Sequence, residues 1–433
     1  MTGATGATGL HARTVPLEYG PDALEFDGSP TVLFDRPGLT LVGWGTALLV
    51  EAANAGAVLA AIGCDDAVRR PGSGVLALGA LPFLDTMAGH LIVPRFSMGI
   101  GRDPDGTTHR WATAVGPSDV PLPETDELFD SVIWQYGVVP DDAAPRDVSV
   151  TELETPLPSE DYTDLVARTV AAMQTPDAAL QKVVLSRSIT VALSGPLSLS
   201  LVLRRMRAHE PNCTIFSMPV PDGTFFGASP EPLVARQGPN VSCHPLAGTI
   251  ARGTTARRDA DAQRWLARSV KDHHEHRFVV EDIAAVLTPL CATLTVPAEP
   301  SLVTFRSVAH LGTRIEGQLM GKTSVLELVR QLHPTPAVGG TPRDVALAAI
   351  TEGEPVRRDY WAGPVGWVDA AGNGEWVIGI RSARLHDDTQ SVTVQAGAGV
   401  VADSVPEHEG AETNVKLATV LESLVPGGSA RLR

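Results

Sequence analysis

The stretch GPVGWVDAAGNGEWVIGIRSARLHDDTQSVTVQAGAGVV, residues 363–401, decides the fold class. Residues 363–369, 375–385 and 391–401 read as three strands of an antiparallel meander that turns at Ala371-Gly-Asn-Gly374. Working outward, the same grammar recurs. Residues 182–191 are rich in β-branched side chains, and 213–220 with 224–234 form a hairpin across Pro221-Asp-Gly223. Residues 301–319 read as strand. Between these lie helices. One starts at Ser159, with Glu160 and Asp161 in its first turn and Tyr162, Leu165, Val166, Val170 and Met173 at helical spacing. Residues 257–290 read as one long helix, 324–332 and 343–351 as two short ones with a cap at Thr341-Pro342, and about 407–424 as a last one.

Toward the N-terminus, 31–34, 39–43 and 75–81 read as strands, 47–62 as an Ala-rich helix, and 92–100 with 110–115 as a hairpin. Residues 116–158 are Pro- and Asp-rich and read as a surface connection; residues 1–13 read as a disordered tail without signal-peptide character. Runs of hairpins interspersed with helices predict an α+β fold of two mainly antiparallel sheets flanked by helices. We expect one large domain over 14–433, with 14–158 as its N-terminal part and 159–424 as its catalytic core.

The net charge of −16 over 433 residues argues against nucleic acid and against an anionic membrane surface. It leaves open a small anionic ligand bound where cations gather locally. No apolar run reaches membrane-spanning length. The four cysteines, at 64, 213, 243 and 291, form no C-x-x-C pair, so a Cys-rich zinc site is excluded and reduced thiols in the cytoplasm are expected.

Several charged residues sit where chemistry is possible. Glu409 and Glu412 are three apart on the last helix and share a face, with Lys416 continuing the stripe. Acids in a first turn also simply suit the helix dipole. Glu275 lies on a stripe with Val279 and Val286, inside His273-His-Glu-His276. That tetrapeptide invites a histidine metal centre, but it matches no zinc spacing, and solvated histidines are the plainer reading. Three inward carboxylates on two helices suit Mg²⁺ better. Lys182 opens a strand and becomes a base only where burial lowers its pKa. Glu231 follows Gly227-Ala-Ser-Pro230 and could act as an acid if desolvated. Arg381, with Val377 and Gly379 on one face and Gly397-Ala-Gly399 on the next strand, could clamp a carboxylate. Neither a dinucleotide fingerprint, a phosphate-binding loop nor a hydrolase elbow is present.

Taken in order, the blocks Lys182-Val-Val-Leu-Ser-Arg187, Gly227-Ala-Ser-Pro-Glu231, His244-Pro-Leu-Ala-Gly-Thr249, Lys271-Asp-His-His-Glu-His276, His310-Leu-Gly-Thr313, Leu332-His-Pro-Thr-Pro-Ala337, Gly339-Gly-Thr-Pro342, Gly363-Pro-Val-Gly-Trp367 and Glu412-Thr-Asn-Val-Lys416 carry a resemblance. The chain resembles the chorismate-utilising enzymes, and among them the isochorismate synthases, strongly over 159–424 and loosely before. The resemblance implies that Glu275 and Glu412 hold Mg²⁺, with Glu409 as a further or water-mediated ligand. It implies that Arg381, Lys416 and the backbone of Gly397 and Gly399 hold the pyruvyl carboxylate of chorismate, with Gly248 and Thr249 lining the pocket. Lys182 would be the general base and Glu231 the general acid. Relatives that use ammonia carry glutamine in place of this lysine, so water is the expected nucleophile and no amidotransferase subunit is expected. Salicylate synthases share the lysine and go on to eliminate pyruvate, but Leu332-His-Pro-Thr-Pro-Ala337 is more like isochorismate synthases. A chorismate-binding relative without turnover would be expected to have lost one of these groups. A monomer is expected. Val270 departs from the pattern, standing where many relatives carry an acid that could support the metal.

Overall fold

The computed structural model describes residues 9–20, 31–123, 148–253, 255–306 and 308–432. The N-terminal part supplies strands β1 (Leu10–Leu17), β2 (Val32–Arg36), β3 (Leu39–Glu51), β4 (Gly63–Asp66), β5 (Leu76–Ala80), β6 (His90–Arg102), β7 (Thr108–Pro117) and β8 (Val150–Glu154). The remainder adds β9 (Lys182–Leu193), β10 (Thr214–Val220), β11 (Gly223–Ser229), β12 (Pro232–Gln237), β13 (Asn240–Cys243), β14 (Leu246–Ala251), β15 (Cys291–Thr295), β16 (Ser301–Thr304), β17 (Val308–Gly312), β18 (Ile315–Leu319), β19 (Gly340–Thr341), β20 (Pro364–Asp369), β21 (Gly374–Ile378), β22 (Ser382–His386) and β23 (Ser391–Val401).

Hydrogen bonding orders most of these into two antiparallel runs. One is β7-β6-β3-β2-β10-β11-β22-β23-β9-β8, extended past β7 by β1 and the parallel β4. The other is β5-β20-β21-β12-β13-β18-β15. Strand β6 joins them. Its whole length lies against β3; on its other edge Phe96 to Arg102 pair with β7, while Ile92 pairs with Leu78 of β5. The two expected sheets are thus joined through β6 into one continuous, mainly antiparallel system, and β14, β17 and β16 form a small separate sheet. Because β2, β5 and β8 pair with β10, β20 and β9 of the C-terminal part, the N-terminal part is not a separable layer.

The helices are α1 (Ala55–Ala61), α2 (Ser159–Met173), α3 (Leu199–His209), α4 (Ala256–Leu266), α5 (Val270–Leu287), α6 (Val325–Leu332), α7 (Arg343–Gly353) and α8 (Pro406–Leu424). Helix α8 packs across β23 and against α2, and α5 packs on β14. None of the described helices is long and apolar enough to cross a membrane.

The structure corrects several sequence expectations. The helix expected over 47–62 is strand as far as Glu51, because Leu48, Leu49 and Val50 pair with Val93, Ile92 and Leu91; helix occupies only Ala55–Ala61. Cross-strand partners outweigh the local helical preference of an Ala-rich segment. The expected long helix breaks after Leu266, and Ser269 caps the second piece by accepting from the Asp272 N–H. Of the expected tail, residues 1–8 lie outside the described residues, but Leu10 to Arg13 already pair with β7 as a strand. Within the expected surface connection, 124–147 lie outside the described residues, and Val150–Glu154 is a strand on β9. Pro342 takes the helix cap, and Thr341 pairs with Lys182.

Candidate active site

A cavity of about 240 Å³ opens between the β9–β23 pair and helices α5 and α8. All eleven residues singled out from the sequence line it: Lys182, Glu231, Gly248, Thr249, Glu275, Arg381, Gly397, Gly399, Glu409, Glu412 and Lys416. Their surroundings differ sharply.

The sheet side is desolvated. Lys182 starts β9, is 1% exposed, and its Nζ lies 2.9 Å from Glu275 Oε1. The register pairs Lys182 with Val401 and Val184 with Gly399. A Cβ on Gly399 would meet Glu275 Oε1 at 2.7 Å and Lys182 Cε at 3.4 Å, so with any other residue there the Glu275 carboxylate would have to turn away from its present place beside Lys182. Glu231 lies in the kink between β11 and β12, where Ser229 Oγ accepts its N–H and its carbonyl accepts from Ile378 N–H. It is no exposed edge residue: it is 7% exposed, and burial pushes its carboxyl up to about 7 against the opposing pull of Lys182 and Lys416. Arg381 is not part of a strand face, as its sequence position suggests. It sits between β21 and β22 at φ +52, a left-handed conformation. Burial lowers its guanidinium pKa, and the side chain makes no hydrogen bond or ion pair among the described residues.

The helix side is anionic. Asp272, Glu275, Glu409 and Glu412 all face the cavity. Lys416 Nζ lies 2.7 Å from Glu412 Oε1 and donates to Gly397 O at 2.7 Å, which ties α8 to β23. Lys271 Nζ reaches Glu409 Oε1 at 3.5 Å. Burial and the neighbouring carboxylates raise the pKa of Asp272, and that of Glu409 against the pull of Lys271. For Glu412 burial acts upward, but Lys416, Arg381 and Lys271 outweigh it and hold the carboxyl low. Hard oxygen donors that repel one another around one cavity are the chemistry a divalent cation relieves. Among the described residues, however, no three metal-type side chains are already gathered on one point.

The histidine alternative finds no support in the geometry. His276 is buried with its Nε2 2.7 Å from Thr313 Oγ1, His273 reaches Ala267 O, and His274 packs on Phe278. Val270 is 84% exposed and outside the cavity lining, so its departure from the family pattern does not touch the site. Among the lining residues to which the sequence reading gave no role are Trp265, Lys271, Asp272, His310 and Gln395. His310 Nδ1 lies 2.9 Å from Thr249 Oγ1, its Nε2 has no partner, and burial with the charges of Arg381 and Lys416 pushes its pKa down to about 4. Three of these had a signal: Lys271 opens the Lys-Asp-His-His-Glu-His block, Asp272 completes the Ser269-x-x-Asp272 cap, and His310 opens the His-Leu-Gly-Thr block.

Comparison with known proteins identifies the family. The family model described as "Chorismate binding enzyme" matches residues 102–425. The chain is 41% identical over 357 residues to isochorismate synthase DhbC of Bacillus subtilis, covering 81% of this chain and 80% of that protein. It is 40% identical over 261 residues to isochorismate synthase EntC of Escherichia coli, covering 60% and 66%. The solved structure of MenF, the menaquinone-specific isochorismate synthase of Escherichia coli, superposes with a TM-score of 0.81 at 25% identity, covering 96% of this chain and 95% of that one. Since the matched span carries both the sheet floor and the helical rim of the cavity, the chain belongs to the chorismate-binding enzymes.

Proposed function

We propose that this enzyme interconverts chorismate and isochorismate with Mg²⁺ as cofactor, working as a cytoplasmic monomer without an amidotransferase subunit and feeding menaquinone or siderophore biosynthesis. The observation that carries the reading is Lys182, a fully buried lysine at the cavity, with the protonatable Glu231 on the same lining.

The reaction needs a base and an acid at separate positions. As a water oxygen bonds to ring C2, Lys182 takes the proton that water gives up. The ring double bonds shift, the C4–O bond breaks, and Glu231 passes its proton to the departing hydroxyl, which leaves as water. One water enters and one leaves, so the product is an isomer, and in reverse the two groups exchange tasks. Glu231 is suited to its part because burial keeps it protonated up to about pH 7. Arg381, Lys416 and the bare backbone of Gly397 and Gly399 would hold the pyruvyl carboxylate, with Gly248 and Thr249 closing the wall. Glu275 and Glu412, with Glu409 directly or through a water, would hold the Mg²⁺, which supplies charge neutralisation for the ring carboxylate and draws electron density from the ring.

The test is chromatographic product analysis of the purified protein with chorismate, in Mg²⁺ and in EDTA. Isochorismate approaching a fixed ratio to chorismate, only with Mg²⁺, is expected. Salicylate with pyruvate, or unchanged chorismate, would overturn the reading.

A further inference from the structure

Strand β9 carries Lys182, yet its outer edge is only partly covered. Strand β19 pairs with Lys182 and Val183, and β8 reaches from Leu193 down to Thr190. Between them, among the described residues, no strand lies on that side. The exposed backbone groups there need other partners. The Val184 N–H finds Gly339 O at 2.8 Å, and two side chains take the next two groups. Glu354 Oε1 accepts the Ser186 N–H at 2.7 Å, and Arg358 Nη2 donates to Val184 O at 2.6 Å. The two are one helical turn apart in sequence, are paired through Arg358 Nε and Glu354 Oε2 at 2.9 Å, and have side chains only 4% and 3% exposed.

We infer that this buried Glu354–Arg358 pair substitutes for the missing strand segment and is the positioning element that fixes the Lys182 strand and the adjoining cavity wall for the reaction proposed above, on which this inference rests. The reach of the arginine is wider than the edge. Arg358 Nη1 also donates to Val338 O at 2.8 Å, and its guanidinium carbon lies 4.5 Å from the Phe83 ring centroid and 5.1 Å from that of Trp361. Val184, Val338 and Trp361 all line the catalytic cavity. Trp361 in turn packs where a Cβ on Gly397 would come within 3.0 Å of it, and Gly397 O is the acceptor for Lys416. One guanidinium thus holds the base strand, the 338 loop and the tryptophan behind the carboxylate-binding backbone, while touching no cavity-lining charge itself. A buried arginine that satisfies two carbonyls and one carboxylate in fixed directions cannot be replaced by a point charge. Its far side borders a second cavity of about 650 Å³, lined also by Phe83, Glu354, Arg357, Tyr360 and Arg384, which gives a small cation a way in.

The test is steady-state kinetics of Arg358→Ala and Arg358→Lys beside the wild type, on chorismate with Mg²⁺. A positioning role lowers kcat by between about 10-fold and 100-fold, since misplacement remote from the reacting atoms is that costly. KM for chorismate and the half-saturating Mg²⁺ concentration stay close to wild type. Guanidinium chloride at non-denaturing concentration raises kcat of Arg358→Ala and leaves the wild type unchanged, a response that mere loss of stability would not give. Should Arg358→Ala fail to fold, Arg358→Lys decides: a folded Lys variant, by circular dichroism, with wild-type kcat overturns the inference, and one with reduced kcat and unchanged KM supports it. A wild type that forms no isochorismate overturns the functional reading and this role together. Wild-type turnover beside undiminished variants overturns the role alone.

Discussion

The floor and the rim of the cavity are built from different material. On the strand side, Lys182 and Glu231 are 1% and 7% exposed. On the helix side, Glu409 and Asp272 are buried too, but Glu275 and Glu412 keep 20% and 39% of their side chains accessible, and each has a lysine against it. Proton-transfer groups work when water cannot level their acidity, and strands hold them still against a packed core. Groups that must exchange one cationic partner for another need solvent and some rotamer freedom, which a helix face gives. Burial pushes the Glu231 carboxyl up to about 7, whereas around Glu412 the cations Lys416, Arg381 and Lys271 outweigh burial and hold the carboxyl low.

The contrast breaks most visibly at Lys182. Lys182→Ala should lower turnover by about 1,000-fold or more, the upper range for a general base, while Mg²⁺ binding followed by calorimetry persists. Undiminished product formation would remove the lysine from the chemistry. Glu231→Gln should cost about 100-fold or more in kcat. It should also abolish the pH limb that the wild type shows: the acid form is needed, so kcat falls as pH rises through about 7. The linked stability has the same sign. The folded pKa lies above the ordinary 4.5, so the contribution is fully present below about 4.5 and is lost as pH rises through about 7. A pH profile identical in wild type and variant would assign the limb to another group.

On the rim the effects are smaller and of another kind. Glu412→Gln should raise the Mg²⁺ concentration for half activity by about 10-fold or more, with the high-Mg²⁺ rate largely restored, because one anionic ligand to a hard cation is lost. An unchanged Mg²⁺ titration would move the metal elsewhere. Gly399→Ala sharpens the comparison by pushing floor and rim together. The new methyl meets Glu275 Oε1 at 2.7 Å, so the Lys182–Glu275 contact must open. Because the atom met is the end of a flexible side chain, melting should stay within about 1 kcal/mol of wild type while kcat falls modestly as Glu275 turns away from Lys182. A variant with the wild-type rate would mean the pair has room to shift.

Much of this was legible in the sequence, for identifiable reasons. The meander at 363–401 could be read because β-branched and aromatic runs bounded by Ala371-Gly-Asn-Gly374 have no competing helical period. The candidate residues lie in short ordered blocks, and the fold brings every one of them to a single cavity. What failed was whatever local preference does not decide. Leu48 to Val50 sit in an Ala-rich context, and only their pairing with β6 makes them strand. Arg381 looked like a strand residue because its neighbours alternate, whereas its left-handed backbone comes from the crossing between β21 and β22. Trp265 carries no local signal and reaches the site through packing, whereas Gln395 shares a strand face with Gly397 and Gly399 and is passed over because a lone strand glutamine suggests no chemistry.

Strand β6 has a consequence for how the molecule comes apart. It belongs to both sheets at once, bound to β3 along its length, to β7 at one end and to β5 at the other. Strain applied to either sheet is therefore felt by both. The molecule should lose amide-exchange protection in the two sheets together, as one cooperative unit. A fragment starting where the family match starts, at residue 102, would lack this shared strand and forfeit the scaffold that keeps its cavity in shape.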